Sequence, residues 1–172
     1  MRNRWPNFFA RIKPFRFGSK PVTMHTGLLH LHSALRWLAI ILMLATIIDS
    51  LVRMYRPFRE NERKLALFTL IALHTQLLLG LVLYFTSPMI EGFIQAGGIM
   101  KNPVARFLIV EHFIGMALAI ILVTIGYSRA KRQSEHWLKH KMIFFYYLVA
   151  FILILISIPW PFREAGAGRG WF

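Results

Sequence analysis

The sequence predicts an all-α protein: an up-and-down bundle of four transmembrane helices behind a basic N-terminal extension. Three observations lead there. Hydrophobic residues make up 56% of the 172, more than the roughly 45–50% of an ordinary soluble domain. Apolar runs occur four times, each near the ~20 helical residues that cross a ~30 Å hydrocarbon layer. Between the runs lies positive charge, part of a formal net charge of +14.

Residues 1–23 stand apart. They hold Arg2, Arg4, Arg11, Lys13, Arg16 and Lys20, no acid, and interleaved aromatics such as Trp5 and Phe8. Basic residues mixed with aromatics suit a membrane surface. Pro6, Pro14 and Pro21 prevent one long helix. Met24 is a possible alternative translation start, so the extension is expected to be dispensable for the fold.

The domain proper is residues 24–172. Its first span covers about 28–52, with Asp49 and Arg53 at its end. A basic connection follows, with Arg53, Arg56, Arg59, Arg63 and Lys64. The second span covers about 65–85, and Ser87-Pro88 stops it. Residues 89–103 read as a loop with little charge. The third span covers about 104–127 and leads into a second basic connection, with Arg129, Lys131, Arg132, Lys139 and Lys141. The fourth covers about 142–158, and Pro159-Trp-Pro161 ends it before a glycine-rich tail.

Charge predicts orientation. Short loops rich in Lys and Arg stay in the cytoplasm, so both basic connections are expected there. The C-terminus is then periplasmic, across a bacterial inner membrane. Trp37, Trp160 and Trp171 would belong to an outer aromatic belt, and Tyr55, Tyr127 and Trp137 to an inner one. The extension's own charges favour the cytoplasm, against the span count. The two connections agree with each other and decide the topology. The same pattern attributes the basic charge to the lipid bilayer and not to nucleic acid. The chain has no cysteine, which excludes disulfides, thiolate metal sites, iron–sulfur clusters and covalent c-type haem. No hydrolytic or group-transfer motif is visible.

The informative residues are the ionisable ones inside the spans, because such groups are costly there and usually face a bundle interior. They are His30, His32 and Arg36 in the first, His74 in the second, and Glu111 with His112 in the third. At ~1.5 Å per residue, Arg36 lies ~25 Å above Arg53, and Glu111 the same distance above Ser128. Equal heights predict an Arg36–Glu111 ion pair. His32 and Arg36, four apart, share a stripe. Gly115 beside His112 leaves room for a flat ligand or a close helix. Facing helices of a bundle can hold haem through histidine, and His74 and His112 lie deepest. His112 is therefore one expected axial ligand and His74 the other, with His32 as the fallback and an arginine for the propionates. A second possibility is that these histidines merely bond neighbouring helices. A third is a copper site at His30 and His32, since imidazole suits copper. His136 and His140 read as surface residues of the inner interface.

Several segments carry a resemblance: Leu29-His-Leu-His-Ser-Ala-Leu-Arg-Trp37, Lys64-Leu-Ala-Leu-Phe68, Gly80-Leu-Val-Leu-Tyr84, Val110-Glu-His112, Gly126-Tyr-Ser128 and Ile158-Pro-Trp-Pro-Phe-Arg163. Over residues 24–172 the chain resembles the small four-span Bacteroidota membrane proteins of the cytochrome B type. That resemblance implies a b-type electron carrier, with haem b on His32, His74 or His112, exchanging electrons with quinol or a respiratory partner. Larger di-haem cytochromes stack two histidine pairs in a four-helix core. Here the inner half of the fourth span has no histidine, so one haem is the expected count. The alternative function is a haem-free accessory subunit of a larger membrane complex.

Overall fold

The computed structural model describes residues 22–166. The extension up to residue 21 and the tail from residue 167, with Trp171, lie outside the described residues. Helix α1 spans Val22–Val52, α2 spans Glu60–Thr86, and a short α3 spans Pro88–Ala96. Helix α4 runs through Pro103–Arg132 and α5 through His136–Ser157. Four of them, all but α3, are long and apolar enough to cross a membrane. This is the architecture of a multi-pass membrane protein.

The helices outrun the apolar stretches that predicted them. α2 starts at Glu60 and α4 continues to Arg132. Apolar counting finds only the hydrocarbon portion, whereas backbone hydrogen bonding carries a helix on until a cap ends it. Glu62 helps start α2, its carboxylate accepting the Arg59 N–H at 2.7 Å. The expected loop after the second span is partly helical. Ser87 caps α3 by accepting from the Ile90 N–H, with Pro88 in the first turn, the position where proline fits a helix. Gly97 and Gly98 then reverse the chain at positive φ of 71° and 67°, which costs glycine little.

Each helix keeps one stripe for the core. On α1 it is Ala39, Met43, Thr46, Ile47 and Ser50, at the three- and four-residue steps of one helical face. The opposite faces carry exposed Ile41, Leu44 and Ile48 on α1, and Ile114, Leu118 and Ile121 on α4. A helix apolar all round is one whose outer face meets lipid.

Around the bundle the order is α1, α2, α4, α5, with α1 diagonal to α4 and α2 diagonal to α5. The tightest pair is α4–α5 and the loosest neighbouring pair α2–α4. Small residues explain the first. A Cβ on Gly115 would collide with Ser157, and one on Gly126 with Tyr146. Close backbone approach over small residues is how helices associate in lipid, where no hydrophobic drive separates helix from solvent. The connections α1–α2 and α4–α5 hold the positive charge, and their side is called the basic end below. The chain termini of the bundle and α3 lie at the far end.

Polar bonds in the basic half lock the helices. Thr46 and Thr69 hydroxyls bond at 2.7 Å between α1 and α2. One hydroxyl donates to the other, and the acceptor of that bond keeps its own proton for a backbone carbonyl one turn back on its helix, Leu42 for Thr46 or Leu65 for Thr69. The Tyr147 hydroxyl crosses the diagonal from α5 to donate to the Ala66 carbonyl at 2.9 Å. Tyr147 is fully buried, so this bond satisfies a phenol that would otherwise be stranded in the core.

Candidate functional site

The far half of the core is polar in a different way. His32 of α1 packs its ring edge onto Gly80 of α2, where a Cβ would stand 3.1 Å from the ring Cε1. The Gln76 amide, one turn earlier on α2, donates to the His32 carbonyl at 2.8 Å. Arg36 sits one turn beyond His32, its guanidinium 5.5 Å from the Trp37 ring centre and 6.0 Å from that of Trp160. The Trp160 indole N–H donates to the Leu155 carbonyl, which seats this aromatic wall against the end of α5.

His112 enters from the diagonal helix. Its Nδ1 lies 2.7 Å from the Ser157 carbonyl of α5. A carbonyl only accepts, so Nδ1 carries the proton and a neutral ring keeps its lone pair on Nε2. Close packing at Gly115 brings Ser157 into range, so the glycine and the histidine act together. His74 has the same arrangement within its own helix, with Nδ1 2.8 Å from the Leu70 carbonyl. Both are the tautomer a metal-binding imidazole needs, its other nitrogen held by a backbone acceptor.

Of the sequence-predicted residues, the structure brings His32, Arg36 and His112 together. His112 and Arg36 both lie within electrostatic range of His32. His74 finds its bond on its own helix, and His30 is exposed. Among the described residues, no three or more His, Cys, Asp or Glu converge to hold a metal ion. Nothing therefore gathers further ligands of those types around His30 for copper.

The Arg36–Glu111 pair does not form. Glu111 instead accepts from Arg106 Nε at 2.7 Å, both side chains close to half exposed. Height matching ignored direction around the helix, and a local partner needs less ordering than one on another helix. The local partner exists because α4 is not regular. Residues Phe107–Glu111 form a π turn, in which the His112 N–H reaches the Phe107 carbonyl. An i→i+5 pattern stacks residues five apart, as Arg106 and Glu111 are. Such turns are rare and often lie at functional sites. Single-residue propensities give no signal for one.

Several buried polar atoms here lack a hydrogen-bond partner among the described residues: His32 Nδ1, Gln76 Oε1 and His25 Nε2. Buried polar atoms are nearly always paired. Unpaired ones, beside an imidazole of fixed tautomer, suit a group bound in this half of the core. A haem meets that description, because two imidazoles and an arginine match its iron and its carboxylates.

Sequence reasoning missed the cluster at the basic end. His140 is fully buried, contrary to the surface position expected for it. Phe58 lies edge-on to its ring at 4.9 Å, and the Phe58 N–H donates to His136 Nδ1 at 3.1 Å. The connection between α1 and α2 thus folds over the start of α5. Glu62, also buried, lies 3.4 Å from Arg53, which holds Asp49 at 2.7 Å. The spacing carried the signal. His140 belongs to the stripe of Ile143, Tyr147, Ala150 and Ile154, and Glu62 to that of Ala66, Thr69 and Leu73.

No family model, no curated protein and no solved structure matches this chain.

Proposed function

We propose that the protein is a b-type, haem-binding electron carrier of a bacterial inner membrane, with both basic connections cytoplasmic and the C-terminus periplasmic. It holds one haem b in the far half of the bundle and exchanges electrons between quinol and a partner in a larger membrane complex. The observation that carries this reading is the approach of His32 and His112 to one polar core from diagonal helices, with the His112 tautomer set by the Ser157 carbonyl. Diagonal ligands let a flat group stand in the middle of a bundle while neighbouring helices stay packed. His112 and His32 are thus the residues that would hold the haem, and His32 takes the place first expected of His74. Arg36, flanked by Trp37 and Trp160, is the cation for a carboxylate at that level. When bound, haem supplies one-electron chemistry at a potential that burial and hydrogen bonding tune. The chain's own residues orient the imidazoles and exclude water.

The test is the visible spectrum of the protein purified from haem-supplied cells. A reducible Soret and α band is expected. His32→Ala should abolish the bis-histidine spectrum, and His74→Ala should leave it. The reverse result restores His74 as the ligand. A protein with no haem moves the reading to an accessory subunit. The His112–Ser157 bond favours that second reading too, since it joins α4 to α5 whether or not anything is bound.

A further inference from the structure

At the basic end a cavity of about 300 Å³ opens between the start of α2, the end of α4 and the start of α5. Four cations line it: Arg59 and Arg63 from α2 and its cap, Lys131 from α4 and Lys139 from α5. The one acid in its wall, Glu60, is bound to Arg63, so the charge of three cations is left over. Two of the cations lean on aromatic rings. Lys131 Nζ is 6.0 Å from the Tyr127 ring centre and Lys139 Nζ 6.0 Å from that of Phe58. The rings hold the ammonium groups beside the cavity without neutralising them. The floor is apolar, made of Ala130 and Ile143, both buried.

We infer that this cavity binds the phosphate of an anionic phospholipid. Three features select a lipid over a soluble phosphate. The cavity sits where the apolar runs stop, at the level where Tyr and Trp mark the headgroup layer. Its floor is apolar, which suits the glycerol and upper acyl carbons next to a phosphate. Its walls also include both sides of the α2–α4 seam, the loosest between neighbouring helices, where a chain can lie along the bundle. The volume holds roughly ten waters at ~30 Å³ each, ample for a phosphodiester. Basic pockets between spans on the cytoplasmic side are where lipid phosphates are recognised. Diffuse positive charge would attract an anionic surface without selecting a molecule. A concave site built from three elements retains one.

The test uses the full chain in zwitterionic detergent, read by native mass spectrometry with added phosphatidylglycerol, phosphatidylcholine or inorganic phosphate. Phosphatidylglycerol should stay bound at one per chain and phosphatidylcholine should not. Arg59→Gln with Lys131→Gln should weaken retention about tenfold. Arg56→Gln with Arg132→Gln, an equal charge loss outside the cavity, should change it less than twofold. Arg59→Lys with Lys131→Arg keeps the charge and should keep the lipid. Equal losses from the two charge-removing pairs would overturn the site in favour of general surface charge. Equal binding of both lipids by the unaltered protein would overturn it without any variant. Saturable binding of inorganic phosphate that phosphatidylglycerol does not displace would overturn the lipid as ligand.

Discussion

The two halves of the bundle use polar residues in opposite ways. In the basic half, Thr46, Thr69 and Tyr147 reach partners on other helices or on their own backbone, and Glu62 accepts from the Arg59 N–H and pairs with Arg53. Only His140 departs, both of its ring nitrogens lacking a bond among the described residues. In the far half, His32 and Gln76 keep unpaired atoms inside the core, and α4 gives up regular hydrogen bonding over Phe107–Glu111. A core whose polar groups are paired, as they are here apart from His140, holds helices together without a bound group. A core with unmet polar atoms is costly unless a bound group meets them. The difference teaches where to look for function: in the half whose polar groups do not complete one another.

That contrast can be broken most sharply at His112. His112→Ala should remove the haem spectrum entirely while the bundle stays folded, whereas His30→Ala should leave the spectrum unchanged. A normal bis-histidine spectrum in the His112 variant would defeat the assignment. Next in size is Gly126→Leu, which forces a side chain into Tyr146 on the α4–α5 seam. Overpacking of this kind costs about 1–3 kcal/mol, expected as a lower midpoint in thermal unfolding followed by circular dichroism. Tyr147→Phe should cost about 1 kcal/mol, through the lost bond, and should not alter the spectrum. If it does, the halves are coupled. Smallest is Glu111→Gln. Its pair with Arg106 is close to half exposed, and pairs of that kind are worth about 0–1 kcal/mol. A larger loss, measured in the same melts, would mean that the π turn depends on the charge.

Much of the fold was legible because a bilayer imposes a simple rule: long apolar runs become helices, and backbone bonds close within them. Spans, order and the basic connections follow from that rule. The far-half polar residues were legible for the same reason, since His32, Arg36 and His112 stand out in an apolar background. Their pairing was not. Height along a helix can be counted from sequence, but direction around the bundle depends on which stripe packs. Here Gly115 and Gly126 draw α4 onto α5. The inserted turn in α4 escaped for another reason. It alters hydrogen-bond register without altering composition, so no count of apolar residues detects it. His140 was misread from its neighbours, because Lys139 and Lys141 suggest surface while its own stripe points inward.

The π turn has a consequence for the length of the third span. An α-helix advances ~1.5 Å and turns ~100° with each residue. A π turn takes in one residue more than an α turn does, and adds little height for it. Helix α4 therefore contains a spare residue, lodged between Arg106 and His112. Deleting one position inside Phe107–Glu111 would let the helix close as plain α without pulling on its packed portion beyond Gly115. Everything on the N-terminal side would keep its direction, because a π turn takes five residues where an α turn takes four, and Arg106 would still share a face with Glu111. The same deletion a few turns later, among Ala119, Val123 and Gly126, would instead rotate the whole seam out of α5. The third span thus tolerates a change of length at one place and not at another.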